Sequence, residues 1–136
     1  MSKKKWILLV DDDPAVLAIL EDSLAHKDLS ITTANDAMQA FVQARELSPI
    51  IIISDMQMPG YLGTKTLELL RSDPKLPRVP IIFMTGMDLN KARELLPAND
   101  PTVGLLQKPL DFAMIRDYVW KLAGVAAPGD PETKPK

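Results

Sequence analysis

The sequence predicts an α/β fold, a single doubly wound domain in which helices cover both faces of a five-stranded parallel sheet. Two patterns predict it. Short apolar, β-forming runs alternate five times with segments of helical periodicity. The central run, residues 50–53, is entirely isoleucine, and a strand apolar on both faces is typical of the middle of a parallel sheet. Because βα crossovers are right-handed, five such units build one sheet with helices on both sides.

The first unit is a strand over residues 6–10 followed by a helix to about residue 26. Asp13 before Pro14 is typical of a helix N-cap and a first helical position. The helix carries one apolar stripe, which consists of Val16, Leu17, Leu20 and Leu24. This stripe predicts that the helix packs on the sheet.

The second unit is a strand over residues 29–33 and a helix capped by Asn35 or Asp36. Its inward stripe consists of Ala37, Ala40, Phe41, Ala44 and Leu47. Pro49 lacks the amide hydrogen that a continuing helix needs, so we expect the helix to end before it.

The third and fourth units are shorter. The third has a strand over residues 50–53, a Met-Pro-Gly turn at residues 58–60 and a helix over about residues 64–71. The fourth has a strand over residues 79–84 and a helix over residues 88–96, which a proline closes.

The fifth unit has a strand over residues 103–106 and a helix that begins after Asp111 and ends at Gly124. Its inward residues are predicted to be Phe112, Ile115, Val119 and Leu122. This helix completes the alternation of strands and helices.

Composition sets the domain organisation and excludes several protein classes. We assign residues 1–5 to an N-terminal tail, 6–124 to one domain and 125–136 to a disordered tail or linker stump. The absence of cysteine excludes disulfides and thiolate metal sites. A net charge of -2, and no apolar run of about 18 residues, give no sign of nucleic-acid or membrane binding. We therefore expect a cytoplasmic protein.

Carboxylates follow two of the predicted strands. Asp11, Asp12 and Asp13 come after the first strand, and Asp55 comes after the third. Ligands of such folds bind outside the carboxyl ends of the strands. Clustered carboxylates raise one another's pKa unless a cation neutralises them, and oxygen ligands suit Mg²⁺. We therefore predict a Mg²⁺ site at this edge, with Asp13 serving as a helix cap.

Two further side chains at the same edge indicate phosphoryl transfer. Thr85 follows the fourth strand, and Lys108 follows the fifth. An aspartate can attack a phosphoryl group to give an aspartyl phosphate. A metal ion, a lysine ammonium and a hydroxyl can then each stabilise one phosphoryl oxygen. The sequence supplies one group of each kind.

Four motifs, each at the end of a predicted strand, together resemble the receiver domain of two-component response regulators. They are Val10-Asp11-Asp12, residues 55–60, Met84-Thr85-Gly86 and Lys108-Pro109. Each motif is weak alone, but all four occur in order, and the resemblance spans residues 6–123. The resemblance implies a flavodoxin-like (βα)5 sheet with strand order 2-1-3-4-5.

The resemblance also implies the acceptor and the metal ligands. Asp55 would accept the phosphoryl group, which makes the protein a phosphoprotein. Asp12 would bind Mg²⁺ directly, and Asp11 would bind it largely through water. Asp55 and the backbone carbonyl of Gln57 would complete the protein ligands.

A second set of residues is implied to support catalysis and switching. Lys108 would pair with the acceptor carboxylate and then with its phosphoryl group, and Thr85 would swing to bond a phosphoryl oxygen. Gly86 would leave room for close backbone approach, and Pro109 would follow a cis peptide bond. Many receivers carry an aromatic residue three positions before the lysine, whereas this chain has Leu105. The conformational change on phosphorylation must therefore be transmitted by other side chains.

The implied partners follow from this chemistry. The phosphoryl donor would be a phosphohistidine of a sensor histidine kinase or phosphotransfer protein. The output would be a downstream protein or domain that binds the fourth helix, fifth strand and fifth helix, with a homodimer as one arrangement and no direct binding to nucleic acid or membrane. Catalysis would be limited to the domain's own phosphotransfer and dephosphorylation, so its status as an enzyme stays open.

Three alternatives remain. A degenerate receiver used only for docking fits Leu105 but not the retained acidic residues and lysine. A small Mg²⁺-dependent phosphatase fits the Asp-x-Asp within residues 11–13, but Ala15 stands where Thr or Val is expected and there is no room for a cap. A flavin or nucleotide binder would need a glycine-rich loop after the first strand, which this sequence lacks.

Overall fold

Five parallel strands form the central sheet of the computed structural model, which describes residues 4–58, 61–62 and 64–125. The strands are β1 (Lys5–Val10), β2 (Leu29–Ala34), β3 (Ile51–Asp55), β4 (Ile81–Thr85) and β5 (Val103–Gln107). They pair in the order β2-β1-β3-β4-β5. The predicted α/β fold and its strand order are therefore confirmed.

Five helices connect and cover the strands. They are α1 (Pro14–Leu24), α2 (Ala37–Leu47), α3 (Thr64–Ser72), α4 (Leu89–Glu94) and α5 (Phe112–Ala123). A short antiparallel ribbon, Gln57–Met58 with Tyr61–Leu62, lies between β3 and α3. The turn predicted at residues 58–60 and the tail predicted at residues 125–136 fall mostly outside the described residues.

Aspartate side chains fix the starts of the helices. Asp13 accepts a hydrogen bond from the amide of Ala15, so its predicted role as a cap is confirmed. Asp36, rather than Asn35, caps α2. Asp111 caps α5, and Gly124 ends that helix with a φ of 73°, where glycine avoids the steric cost that a Cβ would add.

The sheet is buried on both faces because alternate side chains of a strand point to opposite sides. Leu8, Ile52 and Phe83 pack with residues of α2, α3 and α4 on one face. Ile7 and Ile53 pack with residues of α1 and α5 on the other face. The central strands are thus fixed by apolar packing from both sides, and their carboxyl ends are held in one place.

Several details differ from the sequence predictions, and strand β1 begins at Lys5, inside the predicted N-terminal tail. Helix α1 ends at Leu24 because Ala25 adopts an extended conformation. Strand β4 begins at Ile81, after a proline that has no amide hydrogen for the sheet. Helix α4 ends at Glu94. Leu122 is 44% exposed, since Trp120 occupies the buried position on α5 instead.

Among the described residues, no helix is long and apolar enough to cross a membrane.

Candidate functional site

The candidate site lies at the carboxyl ends of β1, β3, β4 and β5. Asp55 is the last residue of β3, which lies between β1 and β4 in the sheet. Asp11 and Asp12 directly follow β1, and Asp11, Asp12 and Asp55 offer carboxylate oxygens that lie within 4.8 Å of one another. The predicted convergence of these three acids is therefore present in the structure.

Asp11 is the most buried acid of the group. The residue is 1% exposed, and Oδ1 accepts a hydrogen bond of 2.9 Å from the amide of Asp13. Oδ2 is buried and has no hydrogen-bond partner among the described residues. Burial, followed by repulsion from Asp55, raises the pKa of Asp11 from 3.8 to about 6 against the opposing effects of the Asp13 amide and Lys108.

Asp55 is held by one cation and one amide. Lys108 Nζ lies 3.3 Å from Asp55 Oδ1, and the amide of Gln57 lies 3.4 Å from the same oxygen. The Asp55 side chain is 7% exposed, whereas that of Lys108 is 35% exposed. The carboxylate is therefore fixed in the site, and the ammonium reaches it from the solvent side.

Thr85 and Lys108 are joined through the backbone. Thr85 is fully buried at the end of β4, and its carbonyl accepts a hydrogen bond of 2.7 Å from the amide of Lys108. The peptide bond between Lys108 and Pro109 is cis, as the resemblance implies. A Cβ built on Gly86 would meet nothing within 4 Å, so there is open space beside the site at that position.

The remaining predicted residues lie at the margin. Gln57 is exposed and contributes its backbone to the site. Leu105 lies in the middle of β5, partly buried, and packs against the core cluster that contains Leu8 and Phe83. A leucine packed in this way gives the site no aromatic ring that could move between two positions.

The donor set fits a hard divalent cation. Every side-chain ligand in the cluster is a carboxylate oxygen, which suits Mg²⁺ and disfavours softer metals. The buried Asp11 Oδ2, which lacks a hydrogen bond from any described residue, is an atom that a cation would satisfy. Among the described residues, one lysine reaches the three acids, so a cation would also relieve their repulsion.

Sequence reasoning missed one polar side chain beside the site. Gln107 is the last residue of β5 and pairs in register with Thr85. Its Nε2 donates a hydrogen bond of 3.0 Å to the carbonyl of Met87, in the loop that follows β4. Its position directly before Lys108 was the available signal, but the contact depends on the register of two strands.

Comparison with known proteins identifies the family. The family model of the response regulator receiver domain matches residues 7–119. The probable transcriptional regulator ycf29 of Porphyra purpurea is 31% identical over 119 residues, which are 85% of this chain and 56% of that protein. The response regulator PleD of Caulobacter vibrioides is 30% identical over 109 residues, covering 80% of this chain and 24% of PleD. The chain thus spans about half or less of the length of these relatives.

Solved structures show the same fold. The Vibrio cholerae chemotaxis protein CheY4 superposes with a TM-score of 0.73 at 23% identity, covering 87% of this chain and 98% of that one. The receiver domain of the sensor histidine kinase PA1611 from Pseudomonas aeruginosa has a TM-score of 0.72 at 27% identity, covering 88% and 98%. That structure is described with a magnesium ion coordinated in its active site cleft. Sequence and fold agree, and this chain belongs to the response regulator receiver domain family.

Proposed function

We propose that this receiver domain is switched by phosphorylation of Asp55 with Mg²⁺ as cofactor. The proposal rests on the position of Asp55, which lies between two carboxylates and a lysine ammonium. Asp11 and Asp12 lie within 4.8 Å on one side, and the Lys108 ammonium lies 3.3 Å from Asp55 Oδ1. A carboxylate is suited to accept a phosphoryl group when it is held at the end of a central strand, beside carboxylates that can bind a metal ion and beside a lysine ammonium.

The proposed transfer uses the Asp55 carboxylate as nucleophile. A bond forms between a carboxylate oxygen and phosphorus, while the bond from phosphorus to the imidazole nitrogen of the donor phosphohistidine breaks. Asp11, Asp12, Asp55 and the Gln57 carbonyl would hold the Mg²⁺, which neutralises phosphoryl oxygens when it is bound. Lys108 is exposed enough to shift from the carboxylate to the phosphoryl group.

The switch is proposed to begin at Thr85. Its hydroxyl is fully buried at the strand end and accepts a hydrogen bond of 2.9 Å from the amide of Met87. Rotation of the side chain towards a phosphoryl oxygen would give up that bond and release the loop. Gly86, with open space where a Cβ would lie, can follow this movement.

The partners are proposed from the family and from the surface. A sensor histidine kinase or phosphotransfer protein would donate the phosphoryl group, and the output would bind through the α4-β5-α5 face. Leu95, Met114 and Tyr118 are between 41% and 50% exposed on helices α4 and α5 or just beyond, and they give this face apolar contact area. A groove of about 370 Å³ beside β5 adds to it.

The similar proteins suggest several outputs without selecting one. One relative is named a DNA-binding response regulator, MtrA of Mycolicibacterium smegmatis, and another is a hybrid signal transduction histidine kinase of Dictyostelium discoideum. We propose a cytoplasmic domain over residues 6–124 that acts through a partner or a linked output domain and does not itself bind nucleic acid. A docking-only receiver is the second candidate, since Leu105 replaces the usual aromatic residue.

Acetyl phosphate labelling tests the acceptor. The native protein should gain one phosphoryl group in the presence of Mg²⁺, in a linkage stable to acid and labile to base, and Asp55→Asn should gain none. Asp117→Asn, which changes an exposed aspartate on α5, is the matched control and should behave as native. Labelling of Asp55→Asn at the native rate would refute the assignment, and no labelling of any variant would favour the docking-only receiver.

A further inference from the structure

A side chain outside the proposed catalytic set holds the loop that follows β4. Gln107 Nε2 donates a hydrogen bond of 3.0 Å to the carbonyl of Met87. The amide of the same Met87 donates a hydrogen bond of 2.9 Å to Thr85 Oγ1. Both backbone polar groups of Met87 are therefore hydrogen-bonded. Gln107 binds the carbonyl, and the Thr85 hydroxyl binds the amide.

The register of the sheet makes this arrangement rigid at its base. Thr85 and Gln107 are paired residues of β4 and β5, and the Lys108 amide donates to the Thr85 carbonyl at 2.7 Å. The two strand ends thus form one frame. The side chains of Thr85 and Gln107 hold the Met87 backbone to this frame. Breaking their two hydrogen bonds would release the loop without disturbing the strands.

We propose that Gln107 is a positioning residue of the switch, which stabilises the resting conformation of the loop by holding the Met87 carbonyl. While that bond is made, the Met87 amide stays on Thr85 Oγ1 and keeps the hydroxyl in its resting position. Movement of Thr85 towards a phosphoryl oxygen requires the loop to leave Gln107. The role in switching rests on the proposed function of Asp55 and Thr85.

This arrangement supplies a connection from the site to β5 that does not need an aromatic ring. Leu105 is partly buried against the core and lies two residues before Gln107 on the same strand. Gln107 is itself exposed at the surface, at the end of β5. When the loop moves, loss of the hydrogen bond from Gln107 to the Met87 carbonyl would therefore change the surface of the α4-β5-α5 face near the carboxyl end of β5.

Hydrogen exchange of the Met87 amide, measured by NMR in the resting protein with Mg²⁺, tests the proposal. In Gln107→Met, which keeps the length of the side chain but removes the donor, we expect exchange about two- to tenfold faster at Met87, the effect of one lost hydrogen bond. Gln107→Arg, which keeps an N–H donor, should restore slow exchange. Gln39→Met removes another exposed glutamine that bonds backbone, the Asn35 amide, and should leave Met87 unchanged.

A double-mutant cycle separates positioning from general destabilisation. In Thr85→Val the Met87 amide has already lost its acceptor, so adding Gln107→Met should cause little further increase in exchange. Unchanged Met87 exchange in Gln107→Met, or equal acceleration at amides throughout the domain, would overturn the proposal.

Beryllofluoride, which mimics a phosphoryl group, tests the connection to the switch. If the ligand draws Thr85 away from Met87, native protein and Gln107→Met should exchange at similar rates once it is bound, and Gln107→Met should bind it about two- to tenfold more tightly. Binding with equal affinity by both proteins would overturn the role in switching. Failure of the native protein to bind beryllofluoride at all would instead refute the proposed function, and the resting-state comparison would still decide whether Gln107 holds the loop.

Discussion

At the scale of single residues, the site is governed by the difference in burial between its acids. Asp11 is 1% exposed, while Asp12 is exposed at the surface. Burial and the neighbouring Asp55 raise the pKa of Asp11 from 3.8 to about 6. The folded protein therefore keeps a proton on Asp11 at pH values where the unfolded chain has already lost it. Protein stability, and the binding of the proposed Mg²⁺, are therefore both expected to depend on pH through one side chain.

This linkage gives a signed prediction for the Mg²⁺-free protein. Below pH 4 Asp11 is protonated in both states, and between pH 4 and about 6 only the folded state keeps the proton. The free energy of unfolding should therefore fall as pH rises through this window, by on the order of 2 kcal/mol, and level off above it. Urea unfolding at a series of pH values measures it. Asp11→Asn should flatten the curve, and an unchanged curve in that variant would contradict the assigned pKa.

At the scale of elements, the order of strands and helices was predictable, and the carboxyl ends of the strands were predictable to within two residues, whereas the loop contacts were not. The isoleucines of β3 and the Asp13-Pro14 pair identify their elements because periodicity and capping are local properties of the sequence. The inward position of Trp120, instead of Leu122, depends on its Nε1 reaching the Leu24 carbonyl at 3.1 Å on another helix. The contact between Gln107 and Met87 likewise requires the register of β4 and β5, which no short pattern specifies.

The segment that precedes β5 is fixed by a polar cluster of the same non-local kind. Arg71 Nη2, from α3, donates to Thr102 Oγ1 at 2.8 Å, and Thr102 Oγ1 donates to Asp100 Oδ1 at 2.6 Å. The two hydrogen bonds from Thr102 lower the pKa of Asp100. This cluster joins α3 to the start of β5 and thus helps to set the position of Leu105 and Gln107 further along the strand.

Removing the hydroxyl of Thr102 tests the importance of this cluster. Thr102→Val should lower the free energy of unfolding by about 1–3 kcal/mol, because the partly buried Arg71 guanidinium loses its acceptor. Urea unfolding measures the change. Thr33→Val, at a partly buried position on β2, is the matched control and should change stability by less than about 0.5 kcal/mol. Equal stability of native protein and Thr102→Val would show that the cluster has no net effect.

At the scale of the whole molecule, strand order explains how distant residues meet. Because β3 lies between β1 and β4, Asp55 faces the acids that follow β1 on one side and the ends of β4 and β5 on the other. The reversal of strand order between β1 and β3 creates the crevice in which such folds bind ligands. Residues 11, 55, 85 and 108 are far apart in the sequence, and the resemblance to a known family was what assigned a role to each.

Binding of the proposed Mg²⁺ should therefore raise the stability of the whole domain. At pH 7.5, Mg²⁺ at about ten times its Kd should add about 1–2 kcal/mol to the free energy of unfolding and raise the Tm by several degrees. Asp12→Ala should lose this shift, whereas Asp22→Ala, which changes an exposed acid on α1, should keep it. A Tm that does not respond to millimolar Mg²⁺ would contradict the proposed cofactor.

Among the three clustered acids, Asp55 is the residue proposed to carry the phosphoryl group. Borohydride reduces an aspartyl phosphate to homoserine, and peptide mass mapping then locates the reduced residue after treatment with acetyl phosphate and Mg²⁺. Homoserine is expected at position 55 alone, and only when Mg²⁺ is present. Homoserine at Asp11 or Asp12, or at position 55 to the same extent without Mg²⁺, would contradict it.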